Sequence, residues 1–456
     1  MRRWILTMPL MTLLLCLTSA VLFAQTDTPG PLQVGVASAE ITPQAPVWMR
    51  GFAARKKPSE GTTTPIMAQV VVFDNGQTRL AIVALDLCAV SYRQLCKMRT
   101  AAAAVGIPEQ HLMVNCSHSH YGPHLGSSEV SLRDVEYDAL FTDRTRPLFA
   151  AAVADLQPAL LDYTVGKSSM GINRRQLDDE GLATRGMRPE PRKQIDPDVP
   201  VLRVLTPEGQ VRAVIFGYAC HPTTATGSLF YVHGADFPGY AREWMTAVYP
   251  DAMPVFLQGC GGDIKPGAVK PSTGTAPGLL NTTVLFDESG TKAEMGYELA
   301  RGVCRALGVP APPVPVDRSP EPEQALGTPV VLGGIVELID IPAKDKPEQF
   351  SVTPFHMGAW RIGDVYIFGS QGEVLSAIGL RIKRELADMR VWTCGYTHWG
   401  GGYVPDDASY PEGGYEVDVS AFAPGVEEYV VSTAHRQIEH LQTIPVNTTP
   451  IPRSSP

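Results

Sequence analysis

The sequence predicts an α/β protein: a single large domain with mixed β-sheets flanked by helices, its chemistry carried on loops at strand ends. Three observations lead there. Apolar runs of strand length alternate with helix-length stretches along the whole chain. Adjacent runs are joined by turn signals such as Asp74-Asn-Gly-Gln77 and Pro207-Glu-Gly-Gln210, so antiparallel hairpins enter the sheets and a purely parallel arrangement is excluded. The composition, 44% hydrophobic and 19% charged over 456 residues, suits one packed domain rather than a fibre or a disordered chain. A net charge of −9 with no basic stripe argues against a nucleic-acid partner.

The N-terminus reads as a secretory signal. Arg2-Arg3 precedes the mostly apolar Ile5 to Leu15, and Ser19-Ala20 to Ala24 supplies small residues for cleavage near Ala24. A membrane anchor is the alternative, and Cys16 after Leu15 fits a lipoprotein signal poorly. No other apolar run is long enough to span a bilayer, so an exported protein, periplasmic or extracellular, is expected. The expected organisation is a signal peptide over 1–24, one folded domain over 30–445 and a disordered tail over 446–456. Without Cys16, the remaining cysteines (Cys88, Cys96, Cys116, Cys220, Cys260, Cys304, Cys394) are odd in number and scattered, so they form no disulfide framework. Several read as small core residues, with one incidental bridge as the alternative.

Gln33 to Ile41 opens as a strand, and Met49-Arg-Gly-Phe-Ala-Ala-Arg55 is a Gly-containing loop. Ala68–Phe73 and Leu80–Leu87 form a hairpin, then Tyr92–Val105 is helical until Gly106 and Pro108 stop it. A second helix is expected over Val135–Leu156, and a polar, Pro-rich surface excursion over Pro189–Pro197. Val199–Leu205 and Val211–Ala219 make another hairpin ending at Cys220-His-Pro222. A helix from Pro238 to Val248 leads to the strand Val255–Leu257 and the loop Gly259-Cys-Gly-Gly262-Asp263, where glycines admit close backbone approach. Ala293–Leu307 is helical. Thr328–Ile341 and Met357–Phe368 are strand regions, Leu375–Ala387 a helix, Val391–Thr397 a strand, and Val426–Leu441 the last helix. Between these, Gly400 to Tyr415 is a Gly-rich loop with three tyrosines. No internal repeat and no dividing linker is visible.

One stretch stands out, Asn115-Cys-Ser-His-Ser-His-Tyr-Gly-Pro-His124, with three of the ten histidines. It follows the apolar run His111–Asn115 and breaks at the turn pair Gly122-Pro123, so it is the end of a strand opening into a loop. Residues i and i+2 of an extended segment face one side. His118 and His120 therefore share a space, suited to one metal-binding imidazole beside a second that moves protons. A pair of surface loop histidines is the alternative, and His124 lies beyond the turn.

Four segments repeat this layout of buried strand followed by a loop with a metal-capable side chain: His118, His221, Glu373 and Tyr403. Two histidines, a carboxylate and an open position suit a catalytic zinc, which brings its water near neutral pKa. Each alone has a plainer reading: a strand-end histidine for His221, a helix-capping carboxylate for Glu373, a packed aromatic for Tyr403.

The chain resembles the catalytic domain of the neutral/alkaline (non-lysosomal) ceramidase family across nearly all of its mature length. The resemblance rests on Gly35 to Pro43, Met49-Arg-Gly-Phe52, Leu85-Asp-Leu87, Ser117 to Pro123, Ile172-Asn-Arg174, His221-Pro-Thr223, Ala235 to Tyr240, Gln258 to Asp263, Gly372-Glu373, Gly402-Tyr-Val-Pro405, Tyr410 and Tyr415-Glu416. It implies one zinc held by His118, His221, Glu373 and Tyr403, with His120 as acid/base and Arg174 and Tyr415 near the substrate head. It implies a secreted amidohydrolase of a small-molecule or lipid N-acyl substrate, ceramide-like, with peripheral membrane contact but no integral span. Another metallohydrolase, exopeptidase or esterase, and a non-catalytic binding homologue are the alternatives. The sequence departs from the family at Cys260-Gly-Gly-Asp-Ile-Lys-Pro266, where Lys265 replaces a serine tied to substrate recognition, and at Gln371, where the family has proline. It ends soon after the tyrosine loop, so the family's C-terminal sandwich domain is not expected. Pointing inward, Lys265 would suit an anionic group better than a sphingoid hydroxyl; a solvated surface lysine is the alternative. Asp86, Asp236 and Asp263 are the expected partners for the outer nitrogens of the ligating histidines.

Overall fold

The structure, a computed structural model, describes residues 30–125, 132–184, 186–224, 227–267, 288–316, 328–350 and 355–445. The signal peptide over 1–24 and the tail over 446–456 lie outside the described residues. Among the described residues no helix is long and apolar enough to cross a membrane.

The sheets are mixed, as the sequence predicts, and they are arranged in three topologically equivalent units. The first places Leu112–Cys116, Arg79–Leu85, Met67–Asp74, Gln33–Glu40 and the short Gln157–Pro158 side by side. The second orders Met253–Gln258, Val211–Tyr218, Asp198–Leu205 and Leu160–Lys167, and the third Leu332–Ile339, Phe355–Ile362, Val365–Ser370 and Arg390–Cys394. In each unit an antiparallel hairpin leads through a helix to a strand that pairs in parallel with the hairpin's second strand. The crossover helices are Tyr92–Ala103, Asp236–Val248 and Ser376–Glu385.

The strands are apolar on both faces because both faces are covered. Val71, Phe73 and Ile82 of the first sheet, Ile215 and Leu257 of the second, and Trp360, Ile367 and Trp392 of the third meet in one central core. The alternate residues point outward, onto each unit's own helices. Val70 and Val72 face the first helical layer, Val214 and Phe216 the second, Ala359 and Phe368 the third. Period-two alternation thus serves two layers at once.

Three findings differ from the sequence expectation. Leu160–Lys167 is a full strand, although Asp162 and Thr164 interrupt its apolar character. The last strand of the third sheet ends at Cys394, not Thr397. The tyrosine loop contains two short helices, Ser409–Glu412 and Tyr415–Val419.

The parallel strands bring their C-terminal ends together, the place where α/β folds gather ligand-binding loops. Leu85 pairs with Cys116, Tyr218 with Gln258, and Gly369 with Cys394. Asn115 ties the three ends: its Nδ2 donates to Gly395 O at 2.9 Å and Gln258 O at 3.2 Å, and its Oδ1 accepts from Gln258 N at 2.8 Å. A buried amide this fully bonded fixes the spacing of the loops that follow.

Candidate metal centre

The loops beyond those strand ends carry the site. His118 stands two residues past Cys116, in the left-handed region at φ 63°, where its N–H bonds Leu87 O at 2.9 Å. Its Nδ1 meets Cys88 O at 2.9 Å. A carbonyl only accepts, so Nδ1 carries the proton and the Nε2 lone pair points inward. His221, fully buried, follows the same plan: Nδ1 meets Gly261 O at 2.7 Å, and its N–H bonds Ile264 O at 3.0 Å. Glu373 lies between them, with Oε2 at 3.2 Å from His118 Nε2 and 3.0 Å from His221 Nε2. It does not cap the following helix; Asp263 does, accepting from Ser376 N at 2.8 Å.

Tyr403 is brought in by strand pairing. Glu373–Val374 runs parallel to Tyr403–Val404, with Glu373 opposite Tyr403. This close crossing needs Gly372, at φ +84°, where a Cβ would sit 2.7 Å from Gly402 O. The Tyr403 ring stacks at 6.3 Å on His221, and its hydroxyl oxygen accepts from Arg174 Nη2 at 2.9 Å. Arg174 Nε donates to Glu416 Oε1 at 2.8 Å, and Arg175 Nη1 holds Glu416 Oε2 at 2.8 Å. The ring of Tyr415, one residue before Glu416, lies 5.6 Å from that of Tyr403, and Tyr415 is 37% exposed, at the site's open side.

His120 shares the space of His118, with their Nε2 atoms 3.1 Å apart. Its ring packs edge-on against Phe52 at 4.9 Å and lies over Gly51, whose φ is +111° and where a Cβ would come within 2.3 Å of the imidazole. His120 O accepts from Arg55 Nη1 at 2.8 Å, so the Met49–Arg55 loop clamps this histidine from outside. His124 donates its N–H to Trp48 O at 2.7 Å and belongs to neither candidate ligand cluster.

The charges of the site balance with a proton on His118 or with a cation in its place. Two imidazole lone pairs face one carboxylate, an arrangement that repels itself unless a proton or cation sits between. Burial works against charge on His118, but the Cys88 and Glu373 charges overcome it and raise this imidazole to about 10. Burial and Arg174 lower His221 to about 4. Burial would raise Glu373, yet the two histidines hold it well below the usual carboxylate range. The donor set of His118, His221 and Glu373 lies within 4.8 Å of one another, and the 3.0 and 3.2 Å separations approach the roughly 3.3 Å edge of a tetrahedron with bonds of about 2.0–2.1 Å. Nitrogen and carboxylate donors with a nearby phenol fit zinc. A second cluster, Cys88 with His118 and His120, shares His118, whose Nδ1 is already given to the Cys88 carbonyl.

No family model matches the sequence, and no curated protein matches it either. Solved structures do match in three dimensions. Neutral ceramidase from Pseudomonas aeruginosa aligns with a TM-score of 0.71 at 19% identity, covering 92% of this chain and 76% of that one. A ceramidase complexed with C2 aligns at 0.70, with 19% identity and coverage of 92% and 77%. The fold is that of neutral ceramidase. At this identity the likeness carries the ceramidase-like fold, not membership of the family by sequence.

The ceramidase-like core brings together all seven residues named from the sequence, but the partners of the histidines are not the expected aspartates. Asp86 is engaged by Arg242 at 2.6 Å, Asp236 accepts from Thr224 N at 3.1 Å, and Asp263 holds Asn173 at 2.6 Å. Backbone carbonyls of Cys88 and Gly261 take the role instead. Tyr396 is the residue the sequence reading missed. Its ring lies 4.4 Å from that of His118, its φ is 56°, and its buried hydroxyl has no partner among the described residues. The loop after the Arg390–Cys394 strand was the available signal, concealed when the strand is extended to Thr397.

Proposed function

We propose that the chain is an exported zinc-dependent amidohydrolase that cleaves the amide bond of an N-acyl, ceramide-like substrate. The observation that carries this is the convergence of His118 Nε2, His221 Nε2 and Glu373 Oε2, each fixed from behind by the backbone or by strand pairing. His118, His221, Glu373 and Tyr403 would hold the ion. Zinc there would supply Lewis acidity, which brings water toward a nucleophile near neutral pH and polarises a carbonyl.

The remaining steps belong to the protein. His120 takes a proton from the attacking water and returns it to the amide nitrogen as the C–N bond breaks. Amide and water thus become carboxylic acid and free amine, with no other reactant. The Tyr415 phenol donates a hydrogen bond to the oxyanion that forms on the acyl carbon. Arg174, pinned by Glu416, orients the Tyr403 hydroxyl.

The test incubates purified protein with a panel of N-acyl lipids and N-acyl amino compounds, before and after chelation and with zinc restored. Hydrolysis that follows the metal is expected. Absence of zinc-dependent hydrolysis across the panel refutes the reading.

A further inference from the structure

Three histidines meet at the site, and the third is held differently from the other two. His118 and His221 each have a backbone carbonyl behind Nδ1. His120 has none: its Nδ1 is buried without a partner among the described residues. No bond behind the ring sets its orientation, so that task falls to its backbone and to what packs against it. Its N–H bonds Pro222 O at 3.3 Å, one residue past His221. Its carbonyl is taken by Arg55.

Arg55 is only 6% exposed, and among the described residues no carboxylate pairs with it. Nη1 donates to His120 O at 2.8 Å and to Arg50 O at 2.9 Å, and Nε donates to Phe230 O at 2.8 Å. One planar fork thus ties the carbonyls of three loops, a geometry that suits guanidinium and not a point-like ammonium. The guanidinium also lies among three rings, 4.9 Å from Phe52, 5.0 Å from Phe230 and 5.5 Å from Tyr121. Phe52 in turn meets the His120 ring at 4.9 Å. Arg55 therefore touches both handles on His120, the carbonyl directly and the imidazole through Phe52. Burial works against its charge and lowers it to about 10, although Tyr121, Cys88 and Tyr231 act the other way. An apolar side chain would fill this space without that cost, but it would leave the three loops untied.

We propose that Arg55 is a positioning residue for His120: its fork, acting through the His120 carbonyl and the Phe52 ring, holds this imidazole in the space before His118, His221 and Glu373. This rests on the acid/base role of His120 given above and names the group that keeps it in reach.

The experiment is a double-mutant cycle on the zinc-loaded protein, assayed on the N-acyl panel with rates taken per bound zinc. Arg55→Met should lower kcat by about tenfold to 10²-fold, the order of a misplacement of about 1 Å. Zinc stoichiometry and KM should stay near native. Arg55→Lys keeps the charge but not the fork, and should share the loss; it carries the cycle if Arg55→Met does not fold. In a His120→Ala background either substitution should change kcat by less than about twofold, because the group it acts through is gone. A merely structural arginine would lower kcat by one factor in both backgrounds, or leave the rate per zinc untouched. Either result overturns the proposal, as does native turnover in Arg55→Lys. A second readout needs no turnover. In proton–carbon ring spectra of histidine-labelled protein, the His120 signal is identified by its loss in His120→Ala. In Arg55→Lys it should shift or broaden, while the signals of His435 and His440 on the last helix stay in place. A superimposed His120 signal overturns the proposal. If the native protein hydrolyses nothing on the panel, the amidohydrolase reading fails, and these spectra alone decide what holds His120.

Discussion

His118 and His221 are about as deeply buried as His356 and His398, yet the two pairs are wired differently. In the first pair each Nδ1 meets a carbonyl, and both Nε2 atoms face the Glu373 carboxylate. In the second, His356 Nδ1 lies 3.1 Å from the Trp399 indole nitrogen and 3.2 Å from Gln371 Oε1. The His356 Nε2, and both nitrogens of His398, lack a partner among the described residues. The rings of the second pair are 5.4 Å apart, and among the described residues no carboxylate joins them in a ligand cluster. Burial, a neighbouring imidazole and Arg99 drive His398 well below the ordinary imidazole value, and burial with Arg99 takes His356 to about 4. Burial beside positive charge therefore produces neutral imidazole. A cation site needs, in addition, an anion opposite the lone pairs and acceptors behind them.

The largest expected effect tests that distinction directly. His118→Ala should abolish bound zinc and turnover together, whereas His398→Ala should leave the zinc stoichiometry near that of the native protein. His120→Ala should keep the metal while kcat falls by roughly 10²–10⁴-fold, the usual worth of a positioned acid/base. Metal content after dialysis, read beside steady-state rates, separates these outcomes. Equal zinc loss from His118→Ala and His120→Ala would mean that the two chelate jointly, as their 3.1 Å approach permits. Zinc loss from His398→Ala would break the comparison between the pairs.

The second effect is a pH dependence to which His356 contributes. His356 titrates near 6.5 when unfolded and at about 4 in the fold. Between those values the unfolded chain binds the extra proton. The stabilisation is thus present above pH 6.5 and is lost as the pH falls toward 4, by at most about 3 kcal/mol for this one group. His356→Gln should flatten the slope of unfolding free energy against pH in that window, measured by denaturant titration of chelator-treated protein. An unchanged slope would show that His356 is not what titrates there.

Much of this was legible from residue types. Apolar runs such as Ala68–Phe73 marked strands because both faces are buried, and His-x-His at a strand end marked the site because period two aims both rings one way. The acceptors behind the histidines were not legible, because any residue supplies a carbonyl. Cys88 O and Gly261 O are selected by how the loops cross, not by side chain. The threefold repetition of the units was hidden for the same reason. Topology repeats, but one unit ends in Ser117-His-Ser-His120, another in Gly259 to Asp263, and the third in Gly395 to Tyr403, with no shared motif.

Tyr396 carries the smallest effect and the finest distinction. It resembles the second histidine pair in having a buried polar atom without a partner among the described residues, but its ring belongs to the first pair, against His118 at 4.4 Å and edge-on to His221 at 6.0 Å. Its backbone is fixed on both sides, since its N–H bonds Gly372 O at 2.8 Å and its carbonyl takes Cys116 N–H at 3.1 Å. The left-handed φ is therefore imposed by the junction of Glu373's loop with the His118 strand, and the ring serves as a wall that keeps His118 in place. On that account the hydroxyl is a cost, and Tyr396→Phe, which keeps the wall and removes the orphan, should stabilise the protein by about 1 kcal/mol. Zinc affinity should not change. The measurement is a denaturant midpoint together with a chelator competition on the same samples. A tenfold or greater loss of zinc affinity, or a lower midpoint, would place the hydroxyl among the groups that serve the metal centre and remove Tyr396 from the class of passive walls.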